Sequence, residues 1–227
     1  MITGLRSNKT LTTSTEKRIF LTVLDTPKRN RQTERREATR VEILDAAWGI
    51  VRDTGLAELT LRDVAARIGM RAPSLYSYFA SKNDIYDAMF GQAWADYLAV
   101  TDEMLATLPR SPRRALKVMA HSFFDFAVAD LPRHQLMNQR TIPRFVPSDE
   151  AYAPAVAVLA RTKSQFESLG NIVNPGHVDL YVALIGGLVD SQQANDPGGD
   201  RWARLVDEAV DMFADHLGLP RSTRRKP

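Results

Sequence analysis

The segment from Thr60 to Lys82 constrains the fold of this 227-residue chain more than any other stretch. Two short helical patterns lie on either side of a glycine. Thr60 has the hydroxyl of an N-cap residue, and Asp63 follows at the capping-box spacing. Gly69 falls where the first helix should end, because glycine adopts the left-handed conformation of a helix C-terminus without steric cost. The spacing predicts a compact helix–turn–helix unit.

The second helix of this unit begins near Pro73, because proline is tolerated in the first turn of a helix and not in its interior. We expect Leu75 and Phe79 to anchor this helix to the interior. Arg71 precedes it and has no side-chain group suited to capping. Ser81 opens the next helix, with an acidic residue three positions later, which repeats the capping-box spacing.

This segment resembles the DNA-binding helix–turn–helix of the tetracycline-repressor (TetR) family of bacterial transcription regulators. Arg71 departs from the family, which usually has a small capping residue there, and Val51 stands where an aromatic residue is frequent. Gly49 lies inside the first helix and should cost it about 1 kcal/mol relative to alanine. The residues that carry the resemblance are ILDAA at 43–47, Gly55, the run 60–69, LYSYF at 75–79 and Ser81-Lys82.

The composition narrows the class of protein. A hydrophobic content of 44% with 25% charged residues is ordinary for a soluble globular protein. The chain has no cysteine, so disulfides and thiolate metal sites are excluded. No apolar run approaches the roughly 18 residues of a membrane span. We expect a cytoplasmic protein that does not enter a membrane.

The positive charge is concentrated at the N-terminus. The formal net charge is +3, but residues 1–40 carry +6 and the remainder carries −3. We interpret residues 1–36 as a basic, mostly disordered arm. The arm could lie along DNA phosphates or in a minor groove, it could be a solvated tail, or it could be a spurious extension from an early start codon. Residues 220–227 form a basic tail.

The rest of the chain predicts an all-α fold with about nine helices. Helix one should run from Glu37 to Thr54, and helix four from Ser81 to about Leu108, long enough to connect two domains. We divide the chain into a helix–turn–helix DNA-binding domain at 37–82 and a helical ligand-binding and dimerisation domain at 83–219. The inward stripe of helix one is predicted to be Val41, Leu44, Ala47, Trp48 and Val51.

Helix eight, from Gly176 to about Gln193, is apolar on nearly all sides and must be covered on more than one of them. The family resemblance implies a homodimer in which helices eight and nine of both subunits form a four-helix bundle. Gly186 and Gly187 would allow another backbone to approach closely. The alternative is that helix eight is simply the core of its own domain.

Helix–turn–helix proteins place the N-terminal residues of the second helix against base edges in the major groove. Here these are Arg71, Ala72, Pro73 and Ser74. Arg71 could instead pair with a nearby acid such as Asp63.

The resemblance places phosphate contacts at Thr60, Tyr76, Tyr78 and Lys82, and Arg62 can reach backbone or base. Their hydroxyl and ammonium groups suit anionic oxygens. Alternatively, Tyr76 could pack on the surface and Lys82 could be a solvated charge. The expected partner is a double-stranded DNA operator.

The family encloses a small-molecule pocket among helices four to eight, and aromatic and amide side chains in this region suit such a site. They predict an apolar or aromatic effector. Most aromatic residues at helical spacing are ordinary core, which is the alternative for each of them. The candidate residues are Met119, Phe123, Phe126, Met137, Asn138, Phe166 and Tyr181.

An enzyme has little support in the sequence. The four histidines are scattered, and there is no zinc-protease motif, nucleophile elbow or phosphate-binding loop. We expect no cofactor and no metal site. The sequence favours a ligand-responsive transcriptional repressor that binds a palindromic operator. Alternatives are a TetR-like activator and a dimeric ligand-binding protein without operator binding.

Overall fold

A computed structural model describes residues 31–169 and 174–221. This part of the chain is built from helices and has no strand, which confirms the predicted all-α class. The helices are α1 (Arg31–Thr54), α2 (Leu61–Arg67), α3 (Ala72–Leu75), α4 (Lys82–Ala106), α5 (Pro112–Val128), α6 (Leu131–Asn138), α7 (Asp149–Glu167), α8 (Pro175–Asn195) and α9 (Val206–His216). Short 3-10 turns precede α2 and α9, at Leu56–Glu58 and Ala203–Leu205.

Helix α1 begins at Arg31 rather than near Glu37, so the expectation of disorder is wrong for residues 31–36. Tertiary contacts explain the longer helix. Arg36 Nη2 donates a hydrogen bond to the carbonyl of Ser77 over 2.6 Å, and its guanidinium lies 5.0 Å from the centroid of the Tyr78 ring. The expectations for residues 1–30 lie outside the described residues.

The first core holds α1, α2 and α3 against the start of α4. Val41 is 52% exposed, so its predicted inward position is wrong, and Ile43 and Ile50 are buried instead. Gly49 has a reason to lack a side chain, since an added Cβ would lie 3.1 Å from the guanidinium carbon of Arg67. This core also contains Val51, Leu59, Val64, Leu75, Phe79, Ile85 and Tyr86.

Helix α4 belongs to both halves of the molecule. Ile85 and Met89, near its start, are fully buried in the first core. Met104, near its end, packs against a second core formed mainly by α5, α8 and α9. A displacement of α4 therefore reaches both cores. The second core contains Leu116, Ala120, Phe124, Val178, Ile185, Val189, Val210 and Phe213.

Helix α7 is fastened along α4. Ser148 caps α7, and its backbone N–H and hydroxyl both donate to the carboxylate of Asp87 over 2.7 Å. An added Cβ on Gly91 would lie 3.3 Å from the Ala151 backbone, so this glycine permits the close approach of the two helices. Further along, Arg161 on α7 forms an ion pair with a carboxylate of α4. We expect α4 and α7 to move together.

A buried arginine joins α5 to the end of α9. Arg113 is 6% exposed and donates to the carboxylates of Asp211 and Asp215 and to the carbonyl of Leu219. Hydrogen bonds from Arg221 and Arg113 lower the pKa of Asp215 to about 2. Of the predicted basic tail, only residues 220 and 221 lie within the described range. In this part of the tail, the guanidinium of Arg221 forms an ion pair with Asp215.

Candidate DNA-binding surface and ligand cavity

The helix–turn–helix segment has the local geometry that its sequence predicts. Thr60 Oγ1 accepts a hydrogen bond from the backbone N–H of Asp63 over 3.1 Å and donates to its carboxylate over 2.6 Å. Gly69 has a φ of 67°, in the left-handed region. The backbone N–H of Met70 then donates to the carbonyl of Ala65 over 2.8 Å, which closes α2 with a Schellman-type hydrogen bond.

Helix α3 has one buried and one exposed side. It is only four residues long and continues into a turn that ends at Phe79. Leu75 and Phe79 are buried in the first core. Ala72 is partly buried and packs against the same core. The exposed side, which we call the recognition face, consists of Arg71, Pro73, Ser74 and Tyr76.

The side chains of Arg71 and Tyr76 form no hydrogen bond or ion pair with any described residue. No ion pair joins Arg71 to Asp63 among the described contacts, and the Asp63 carboxylate accepts from Thr60 instead. As the sequence predicts, Arg71 also leaves α3 without a side-chain cap. Arg62 is exposed at the start of α2. These side chains are available to a partner.

Three of the predicted phosphate contacts are engaged within the protein: Thr60 with Asp63, as described above, and Lys82 and Tyr78. Lys82 Nζ donates to the carbonyl of Ala57 over 2.9 Å, so it must exchange this hydrogen bond to reach a phosphate. Tyr78 is half-buried, and the guanidinium of Arg36 faces its ring.

Arg36 and Arg40 are residues beside α3 that the sequence analysis did not single out. Arg40 Nη1 donates to the carbonyl of Tyr78 over 2.8 Å, and its guanidinium lies 4.4 Å from the centroid of the Phe79 ring. The sequence feature that could have indicated a longer α1 is the run 31–36, which is basic and contains neither proline nor glycine.

A partly open cavity of about 280 Å³ lies between α4, α5, α7 and α8, with one residue from the end of α6. Of the predicted ligand residues, it brings together Met119, Phe123, Asn138 and Tyr181. A larger groove of about 700 Å³ lies between the first core and the start of α7, but it is open and mainly polar. The rest of the cavity lining is Trp94, Tyr97, Thr101, Met104, Leu105, Ala120, Tyr152, Ala155, Val158, Leu159, Thr162, Val182 and Ile185.

Three predicted ligand residues do not line this cavity. The Phe126 ring is covered by the guanidinium of Arg133, whose carbon lies 3.7 Å from the ring centroid. Met137 lines an adjacent, smaller space of about 240 Å³. Phe166 is in the second core, with its ring centroid 5.3 Å from that of Tyr181. Helical spacing identified these side chains as buried but could not tell which core they fill.

The contribution of α4 to the cavity was missed. Trp94, Tyr97 and Thr101 line it, and none of them was among the predicted ligand residues. Burial raises the pKa of Tyr97 to about 12. Burial also raises the pKa of Tyr181. Both hydroxyls therefore stay neutral at physiological pH.

The described residues contain no group of three or more His, Asp or Glu side chains placed to hold a metal ion. No helix in the described ranges combines the length and the apolar character needed to cross a membrane.

Residues 43–89 match a family described as bacterial regulatory proteins, tetR family. This match places residues 43–89, the helix–turn–helix segment, in that family. The match extends from α1 through the first turns of α4, so it covers the recognition face. All of the cavity lining lies beyond residue 89, outside the TetR match.

The chain is also similar to the HTH-type transcriptional regulator BetI of Burkholderia ambifaria, with 26% identity over 97 residues. The alignment covers 43% of this chain and 50% of BetI, so the chain spans about half the length of the curated relatives it matches.

Solved structures of TetR-type regulators share the fold. FadR from Bacillus subtilis, determined in complex with stearoyl-CoA, has a TM-score of 0.62 at 16% identity, covering 76% of this chain and 96% of FadR. A TetR/AcrR family regulator from Thermobifida fusca has a TM-score of 0.58 at 20% identity, covering 83% of this chain and 100% of that protein. At these identities the likeness extends to the fold and not to the ligand.

Proposed function

We propose that this TetR-family protein is a cytoplasmic, ligand-responsive repressor that binds an operator through the recognition face. The observation that carries the proposal is the two-sided α3. Its anchors are buried, while Arg71 and Tyr76 are exposed and unpaired among the described contacts. An unpaired guanidinium next to an exposed helix start suits a guanine edge, which offers two acceptors to one arginine.

The neighbouring side chains would position the helix on the DNA backbone. Thr60, Arg62 and Lys82 lie on the exposed starts of α2 and α4, where helix N-termini and cationic groups attract phosphate oxygens. Lys82 would release the carbonyl of Ala57 and bind a phosphate instead. Arg36 would contribute by holding the carbonyl of Ser77, which steadies the turn after α3.

The proposed protein is a homodimer that reads a palindrome. An apolar surface, the α8/α9 face, consists of Leu180, Ala183 and Gly187 on α8 and Met212 on α9, all of them exposed. Leu180 is 49% and Met212 67% exposed. An added Cβ on Gly187 meets nothing within 4 Å, so a partner backbone can approach there. Two such subunits would place their recognition faces about 34–36 Å apart, one turn of duplex.

Ligand response would pass through α4. This helix lines the cavity with Trp94, Tyr97 and Thr101 and reaches the first core with Ile85. An effector that separates α4 from α5 or α8 would change the spacing of the recognition faces. A preference of about 2.7 kcal/mol for the non-binding arrangement is enough to lower operator occupancy about a hundredfold. The complex of FadR with stearoyl-CoA supports a small-molecule effector in this fold.

The experiment that tests this function is a selection of binding sequences from random duplexes by the full chain. We expect an inverted repeat with half-site centres about ten base pairs apart. Recovery of sequences without symmetry, or of none above background, would contradict the proposal. A gel-shift assay with the DNA upstream of its own gene gives a faster first answer.

A further inference from the structure

The polar groups that line the partly open cavity indicate which ligands it can take, an inference that rests on the ligand-binding part of the proposed function. Three lining hydroxyls already donate their hydrogens to the protein. Thr101 and Thr162 each donate to the backbone carbonyl four residues earlier, over 2.8 and 3.1 Å, and Tyr181 donates to the carbonyl of Leu116 over 2.6 Å. Each of these oxygens keeps lone pairs, so these groups remain as acceptors.

Asn138 presents an acceptor as well. Its Nδ2 lies 3.3 Å from the backbone carbonyl oxygen of His134 and 3.2 Å from His134 Nδ1. Because only the NH2 end of an amide can donate to a carbonyl, the amide nitrogen must face His134. The carbonyl Oδ1 of Asn138 is left without a hydrogen bond to any described residue, on an exposed residue that lines the cavity from the end of α6.

His134 and Asp190 hold this arrangement in place. His134 is 3% exposed, and its Nδ1 must be unprotonated to accept from Asn138. Its Nε2 therefore carries the hydrogen and donates to the carboxylate of Asp190 over 3.0 Å. Asp190 thus selects the histidine tautomer, and the tautomer selects the orientation of the amide.

The cavity offers few donors and no charge. None of its lining residues in the described chain is Lys, Arg, His, Asp or Glu. Trp94 contributes its ring, but its Nε1 is buried and has no surface that a ligand atom could reach. Only the hydroxyls of Tyr97 and Tyr152 remain able to donate or accept. A carboxylate ligand would face acceptors without a compensating charge, which is strongly unfavourable in an apolar space.

We propose that the cavity takes a neutral, mainly apolar molecule with one hydrogen-bond donor, such as an alcohol or a phenol, which donates to Asn138 Oδ1. A ligand that lacks the donor leaves this acceptor unpaired after its water has been displaced. The donor should therefore improve Kd about tenfold over the matched ether.

The test compares para-propylphenol, its methyl ether para-propylanisole and para-propylbenzoate, titrated into the full chain by calorimetry. Tryptophan fluorescence provides a second readout, since one of the three tryptophans, Trp94, lies at the cavity wall. We expect the phenol to bind about tenfold more tightly than the anisole, and the benzoate to bind weakest. Equal affinities for phenol and anisole, or tightest binding of the benzoate, would overturn the inference.

Asn138→Leu removes the acceptor at similar volume and should bring the phenol and anisole affinities together while anisole binding is kept. Asn83→Leu, the same change on the exposed side of α4, should keep the tenfold preference. A preference that survives Asn138→Leu contradicts the assignment. Absence of binding by all three compounds also overturns it, and duplex binding by the same sample shows whether the DNA-binding proposal survives.

Discussion

Two exposed surfaces of this molecule differ in almost every respect. The recognition face is polar and cationic, and it is carried by a four-residue helix whose position depends on two buried anchors, Leu75 and Phe79. The α8/α9 face is apolar and is carried by helices of 21 and 11 residues. An exposed polar and cationic surface suits a charged, solvated partner such as nucleic acid. An exposed apolar surface on long helices suits contact with another protein surface. The difference supports the proposal that nucleic acid binds one surface and a second copy of the chain binds the other.

The largest effect should come from removing the arginine that joins α5 to the end of α9, the helix that contributes Met212 to the α8/α9 face. Arg113→Ala deletes hydrogen bonds to two carboxylates and to the carbonyl of Leu219, and it should lower the free energy of unfolding by about 2–4 kcal/mol. Arg114→Ala, the exposed neighbour, is the control and should change stability little. Denaturant unfolding measures both. Equal stabilities for the two variants would mean that α9 does not depend on this arginine.

A charge placed on the α8/α9 face should separate subunits without unfolding them. Leu180→Glu would bury a carboxylate in an apolar contact, which should cost about 2–3 kcal/mol of dimerisation free energy. Sedimentation at several concentrations measures the shift toward monomer, and circular dichroism checks the helix content. Val146→Glu, at an 81% exposed position elsewhere, should leave the association unchanged. A dimer that tolerates Leu180→Glu would place the interface on another surface.

A substitution on the recognition face should change which DNA sequences the protein prefers rather than how stable the protein is. Arg71→Ala removes the side chain proposed to contact a guanine, and it should lose about 1–3 kcal/mol of discrimination at one base pair of each half-site. Binding to operators altered at single positions measures this loss. Arg110→Ala, a change of the same kind between α4 and α5, should keep the full discrimination. If both variants discriminate like the parent, base contact by Arg71 is refuted.

The same two surfaces show how far sequence reasoning extends. Local rules predicted Thr60 as a cap, Gly69 as a left-handed residue and Leu75 as an anchor, because each depends on neighbours a few residues away. The start of α1 was predicted six residues late, since the contact that supports it joins Arg36 to Ser77, 41 residues apart. Helix length and apolar character can be predicted from neighbouring residues in the sequence, whereas the contact partners of a side chain depend on the tertiary fold.

The cavity also shows that local sequence patterns do not predict tertiary contacts. Met119, Phe123, Asn138 and Tyr181 line it as expected from apolar and amide composition. Phe166 fills a core instead, although its helical spacing looks equivalent. The orientation of the Asn138 amide depends on Asp190 through His134, across 52 residues, and no pattern in the sequence contains that information.

The smallest effect expected at the recognition face concerns Lys82. Lys82→Ala should weaken binding to specific and unrelated duplexes alike, by about threefold, and should reduce the salt slope by about one. The effect is modest because the free ammonium already has a partner in the carbonyl of Ala57, so DNA binding gains only the difference between the two contacts. Lys163→Ala, an exposed lysine on α7, should leave the slope unchanged. A loss confined to the specific operator would instead make Lys82 a base contact, and the division between positioning and reading residues would have to be redrawn.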